Sequence, residues 1–224
     1  MAPRVKTALL AALACALAIA PLAVVAYSWD PFRRVDLRVL LHLRRDEGPL
    51  HALAAALVNL GDLASLLVLL AVACAIGLRY GRRREVLAAI VVVGGANVTT
   101  QLLKTTLEHV RYKAVEHGLE LPWPDSFPSG HTTAAASIAV ALLLVTPAAH
   151  RLAAAVAGVA ITAAVGFSVV ILGWHYPSDV LGGLLVVGAW GFAALAWLRI
   201  RAGRDRAPST QEHRRPGRLA VSTD

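Results

Sequence analysis

Six long apolar runs leave this chain few ways to fold. A hydrocarbon core of about 30 Å takes roughly 20 helical residues to cross, at a rise of about 1.5 Å each. Stretches of that kind run from Thr7 to Tyr27, Leu50 to Leu78, Val86 to Leu107, His131 to Val145, Leu152 to Leu172 and Val180 to Leu198. The fourth is short and must borrow its flanks. With 57% hydrophobic and 16% charged residues over 224 positions, and a mean hydropathy of +0.62, the chain is too apolar for an ordinary soluble domain. The expected fold is all-α: a polytopic membrane protein with six transmembrane helices in a bundle.

Lys and Arg placement orients it, because short cytoplasmic loops keep an excess of both. Arg4, Lys6, the cluster Arg79, Arg82, Arg83 and Arg84, then Arg151, and the tail from Arg199 to Arg218 all fall on one side. The expectation is a multi-pass protein of the cell membrane with both termini cytoplasmic. The net charge of +8 is then a topology signal, and the basic tail meets anionic lipid heads rather than nucleic acid. Arg4 and Lys6 before an apolar run also resemble a signal peptide. The run is long for one, and Tyr27 with Trp29 suits an interfacial aromatic belt, so it reads as a retained anchor.

Arg33, Arg34, Arg38, Arg44 and Arg45 oppose this orientation, but Asp30, Asp36, Asp46 and Glu47 nearly cancel them. There Phe32, Val35, Val39, Leu40 and Leu43 share one helical face. The segment reads as an amphipathic interfacial helix between the first two spans, either a plain connector or a lid over a lipid site. The chain thus divides into a first span (1–28), an interfacial segment (29–49), a transmembrane core (50–200) and a disordered basic cytoplasmic tail (201–224).

Cys15 and Cys74 fall inside spans as small apolar residues, without a disulfide framework. Asn59 and Asp62 sit in the second span. With Gly61 beside Asp62 and no histidine or cation in register, a structural hydrogen bond between helices is the expectation. Gly94, Gly95, Gly182 and Gly183 are expected to permit close helix packing.

Three polar islands remain. Lys104 and Arg111 lie at the end of the third span, Pro128-Ser129-Gly130-His131 opens the fourth, and His175 with Asp179 precedes the sixth. The chain crosses and returns between His131 and His175, so all three islands reach one face. Ser129 is a good N-cap, and Gly130 lets an anion approach the N–H groups of a helix N-terminus. His131, in the first turn, has the chemistry of a proton donor. Asp179 can fix the tautomer of His175 and leave its other nitrogen as a nucleophile. Taken singly, each histidine suits a helix–helix hydrogen bond and Asp179 a cap. Gathered on one face, they point to phosphate chemistry.

Lys104 with Arg111 seven positions on, the Pro-Ser-Gly-His run, and Ser168 followed by His175 and Asp179 resemble the three-part signature of the type 2 phosphatidic acid phosphatase superfamily. The resemblance covers roughly 101–183 and extends to the six-span topology of its membrane branch. It implies a cofactor- and metal-independent phosphatase for lipid phosphates or pyrophosphates, working in the extracytoplasmic leaflet through a phosphohistidine. Lys104, Arg111, Ser129 and Gly130 would hold the phosphate. His175 would attack phosphorus, His131 would protonate the leaving oxygen, Asp179 would orient His175, and Ser168 is a further motif residue.

Two positions depart from the family pattern. Tyr112 stands where a proline is expected, and Val169 replaces an arginine that would clamp phosphate. No Lys or Arg lies between Arg151 and Arg199. A substitute cation would have to be Lys113, His109, His117 or an arginine of the first outer loop. The departure leaves open a weakened or inactive relative that only binds lipid phosphate. A phosphotransferase using His175 is a third reading. The partners expected are a lipid phosphate and membrane lipids.

Overall fold

The structure, a computed structural model, describes residues 3–107 and 127–205. Among them all regular structure is helical: α1 (Pro3–Ser28), α2 (Asp30–Leu43), α3 (Pro49–Val58), α4 (Leu63–Arg79), α5 (Arg83–Thr106), α6 (Gly130–Val145), α7 (Arg151–Ile171) and α8 (Pro177–Asp205). Four helices, α1, α5, α7 with its 3₁₀ lead-in, and α8, are each long and apolar enough to cross a membrane. The pair α3 and α4 meets the same measure as one span bent by 56°. The fold is all-α and multi-pass, as expected. The fourth expected span, α6, has only 16 residues, about 24 Å of helix. Arg111, Tyr112, Lys113, His109, His117 and the tail beyond Asp205 lie outside the described residues. Residues 201–205, assigned to the tail by sequence, continue α8.

The short helix sits at the centre, packed by α4, α5, α7 and α8. Its buried run Thr132, Thr133, Ala134, Ala135, Ala136 and Ser137 explains how. Between helices in lipid, association rests on close backbone approach and on hydroxyl and amide hydrogen bonds rather than on apolar burial from water. Thr133 Oγ1 accordingly lies 3.0 Å from Thr100 Oγ1 on α5, and Asn97 Nδ2 donates to Ser137 Oγ at 3.2 Å. On α8, Gly183 presses against the Ser129 carbonyl and Gly182 against Phe127, while Gly95 of α5 lies under Trp190. Gly94, expected to pack likewise, faces open space. Cys15 and Cys74 are free thiols.

One end of this bundle is basic. Arg84 pairs with Asp205, Arg199 donates to the Arg4 carbonyl at 2.6 Å, and Arg82 donates to the Leu144 carbonyl at 3.0 Å. Arg151 reaches the Thr146 carbonyl at 3.3 Å. The arginines assigned to one side by sequence therefore share one end, the C-terminal end of α6. The polar N-terminus of α6 lies at the other.

Two features of the first half bear on the site. The span from Leu50 to Leu78 is not continuous: it breaks in a 3₁₀ turn, Asn59–Gly61, and restarts at Asp62 with an extended backbone (φ −73°, ψ 158°). Asn, Gly and Asp are weak helix formers that favour caps and turns. The segment between the first two spans folds as the helix α2. Asp36, Leu37 and Leu40 are its buried residues, whereas Val35 and Val39 are exposed. Leu37 and Leu40 join Val58, Val169, Val170 and Tyr176 in one apolar cluster.

Asp36 bonds α2 to the start of α8. Its carboxylate accepts the Ser178 backbone N–H at 3.1 Å and the Ser178 hydroxyl at 2.6 Å, at the N-terminus of α8, where negative charge is favoured. Replacing Asp36 with alanine leaves those donors buried and unsatisfied. A loss of about 1.5–3 kcal/mol is expected, measured as a lower unfolding midpoint of the detergent-solubilised protein.

Candidate active site

The first turn of α6 begins with the cap anticipated from sequence. Ser129 has an extended backbone (φ −67°, ψ 118°) and its Oγ accepts the Thr132 N–H and, at 3.0 Å, the Thr132 hydroxyl. Those bonds use its acceptor side and leave its own hydroxyl hydrogen to be donated. The Ser129 N–H donates to the Asp179 carbonyl at 2.9 Å. The second and third islands are thus tied backbone to backbone, and Gly183 allows α8 to come that close.

In the third island, α7 ends at Ile171 and the chain turns through Gly173 (φ 74°). A left-handed backbone there suits glycine. The Val169 carbonyl accepts the N–H groups of Trp174 at 2.9 Å and His175 at 3.2 Å, closing the turn. Asp179 is fully buried in the first turn of α8. Its Oδ2 accepts the Tyr176 N–H at 2.9 Å and faces His175 Nδ1 at 3.4 Å. Nε2 is the ring nitrogen left over.

These pieces meet around a cavity of about 740 Å³ whose walls include Gln101, Lys104, Gly130, His131 and His175. Lys104 comes from the last turn of α5, and its Cε lies 4.0 Å from where a Gly130 side chain would begin. The His131 ring rests against Trp174 with centroids 5.5 Å apart. Ser129 and Asp179 stand behind this wall, both buried. Of the residues read from sequence, Lys104, Gly130, His131 and His175 therefore share one cavity, with Ser129 and Asp179 in direct support. Ser168 does not join them: it is buried on α7 and donates to the Ala164 carbonyl at 2.7 Å. Arg111 lies outside the described residues.

Val169, where the arginine was expected, is fully buried in the apolar cluster with Leu37 and Leu40. Of the substitute cations weighed, Arg44 of the first loop lies across the turn. Its Cδ and Nε come within 3.2 and 3.3 Å of where a Gly173 side chain would begin. Arg44 Nε also donates to Asp46 Oδ1 at 2.7 Å, and Arg45 N–H bonds the Ile171 carbonyl at 2.9 Å. The first loop is thus strapped to the turn that carries His175.

One wall residue makes the bond to another helix that its sequence reading expected, but with a partner that reading missed. Asp62 was expected to bond another helix with no histidine in register, yet its Oδ1 lies 3.1 Å from His131 Nε2. The break in the second span brings it there. A sequence signal existed: roughly 29 residues of continuous helix would measure about 44 Å, well beyond a bilayer core, and Gly61-Asp62 has the form of a chain break followed by a helix cap. Asp36 had no such signal, since its partner Ser178 is 142 positions away.

Comparison with solved structures gives the same architecture. A crystal structure described as the first transmembrane PAP2 type phosphatidylglycerolphosphate phosphatase, from Bacillus subtilis, superposes with a TM-score of 0.70. The match covers 85% of this chain and 96% of that one, at 24% sequence identity, a likeness of fold. No curated protein sequence matches significantly. The PAP2 superfamily matches over residues 85–202, more than half of the chain, in a stretch that holds Lys104, Ser129, Gly130, His131, His175 and Asp179. This protein belongs to the PAP2 superfamily.

Proposed function

We propose that this protein is an integral membrane phosphatase that removes phosphate from a lipid phosphomonoester or pyrophosphate through a phosphohistidine. The observation that carries the reading is the shared cavity of Lys104, Gly130, His131 and His175, with His175 backed by buried Asp179. Lys104, the N–H groups at the start of α6 and the Ser129 hydroxyl bind phosphate oxygens, with Arg111 as a second cation. The Nε2 lone pair of His175 attacks phosphorus. The bond from phosphorus to the leaving oxygen breaks, and His131 supplies that oxygen with a proton. As phosphorylated His175 gains positive charge, the Asp179 carboxylate offsets it. Water then gives a proton to His131, its oxygen bonds phosphorus, and the P–N pair returns to His175. Each step uses side chains alone, and no metal enters.

Two features support a lipid substrate. The cavity opens within a bundle of apolar helices, and a second cavity of about 730 Å³ beside α6, α7 and α8 has walls such as Val39, Leu143, Phe167 and Leu184, suited to an acyl or isoprenoid chain. By the positive-inside rule, the end bearing Arg4, Arg84 and Arg199 is cytoplasmic and the phosphate cavity opens outward. The basic tail then meets anionic headgroups.

The test is phosphate release by purified protein from isoprenoid phosphates and pyrophosphates, phosphatidic acid and phosphatidylglycerol phosphate, with and without chelator. Release that persists in chelator and vanishes in His175→Ala is expected. Strict dependence on a divalent ion would sink the mechanism. Equal release by both proteins would leave a lipid-phosphate-binding protein.

A further inference from the structure

Asp62 occupies the N-cap position of α4 but makes no capping hydrogen bond with its side chain. A capping Asp ordinarily accepts from the N–H groups of its own first turn. Here Oδ1 is turned away and meets His131 Nε2 at 3.1 Å. A separate feature of the backbone brings the two residues together. A Cβ added at Gly61 would fall 2.8 Å from both His131 Cβ and the His131 carbonyl oxygen, so the 3₁₀ turn before Asp62 lies directly on the first turn of α6. The 56° bend between α3 and α4 is what allows that approach. Gly61, Asp62 and His131 all line the phosphate cavity.

We propose that Asp62 is a positioning residue for His131, an inference that rests on the phosphatase reading above. The carboxylate holds the imidazole by Nε2, against Trp174 on its other side. Its negative charge offsets the imidazolium that serves as proton donor, in a cavity that also contains cationic Lys104 and the second histidine, His175. Asp62 itself neither gains nor loses a proton. His131 passes one proton to the leaving oxygen as the electron pair of the P–O bond departs with that oxygen, and recovers one from water in the second step.

A proton donor matters in proportion to how poorly the leaving group departs alone. The experiment therefore compares two substrates in detergent with the full-length chain. Phosphatidic acid must release an alcohol, whereas p-nitrophenyl phosphate releases a stable phenolate. Asp62→Asn is expected to lower kcat/KM, which reports the leaving-group step, about 10- to 100-fold on phosphatidic acid, and less than about threefold on p-nitrophenyl phosphate. His131→Ala should show the same selectivity. Adding Asp62→Asn to His131→Ala should cost no more than about twofold, since both act on one proton transfer. Equal losses in kcat/KM on both substrates, an unchanged kcat/KM on phosphatidic acid, or fully additive losses in the double variant would overturn the role of Asp62. A wild-type protein inert toward every lipid phosphate would refute the phosphatase reading and this inference with it. An active wild type with a substrate-independent Asp62→Asn loss would refute the inference alone.

Discussion

Alanine at position 175 should lower phosphate release by about a thousandfold or more, because it removes the atom that bonds phosphorus. The rest of the site has no reason to collapse with it. Lys104 stands on α5, Gly130 and His131 on α6, and the backbone N–H of residue 175 keeps its bond to the Val169 carbonyl. KM should therefore change much less than kcat. The decisive measurement is chemical as well as kinetic: wild type quenched in acid-free conditions during turnover of a phosphate-labelled lipid should carry label on the protein, and His175→Ala should carry none. A variant that retained activity within about tenfold of wild type would assign the nucleophile elsewhere.

Asp179→Asn should come second, with a fall in kcat of about 10²- to 10⁴-fold. That range is borrowed from hydrolases in which a carboxylate orients a catalytic imidazole. Asparagine keeps the size of a fully buried side chain, but one atom, Oδ2, serves both the Tyr176 N–H and His175 Nδ1, so asparagine can place either its oxygen or its amide there. With the amide there, the Tyr176 N–H faces a donor, and so does His175 Nδ1, which favours the tautomer carrying hydrogen at Nε2. That tautomer has no lone pair there to attack with. The charge that offsets the phosphorylated ring is lost as well. An unfolding midpoint close to wild type beside a large loss of kcat would mark an orienting role. Parallel loss of folding and activity would show that Asp179 acts by holding α8 in place.

The two variants probe the parts of the site most legible in sequence. Ser129, His131, His175 and Asp179 each sit next to a helix start, and the physics of helix starts is local: caps, first-turn acids and anion binding need only a few consecutive residues. Asp62 and Asp36 escaped the same treatment. Asp62 looked like an isolated acid within an apolar run, since its histidine is 69 positions away and only the bent span brings them together. Asp36 looked like a neutralising charge, since nothing near it in sequence signals that Ser178 will need an acceptor. For α2, hydrophobic periodicity identified a helix but not which residues face the bundle, because Asp36 meets its partner only in the fold.

Val169 shows the same limit from the other side. Sequence marks a missing arginine there, and the structure fills the place with apolar packing against α2, while Arg44 lies over the adjoining turn.

The sequence by itself determined that this chain is a helical multi-pass protein, that Arg4, Arg82, Arg84, Arg151 and Arg199 share one end, and that two histidines and an aspartate belong to one face. Spans must be long and apolar, and the number of crossings between two residues settles which end each occupies. Only the tertiary structure decided that α6 is the enclosed centre, that the second span is broken, and that Asp62 and Asp36 bond His131 and Ser178. Those outcomes depend on how closely helix backbones approach, which Gly61, Gly183 and the small residues of α6 permit but which no local pattern specifies.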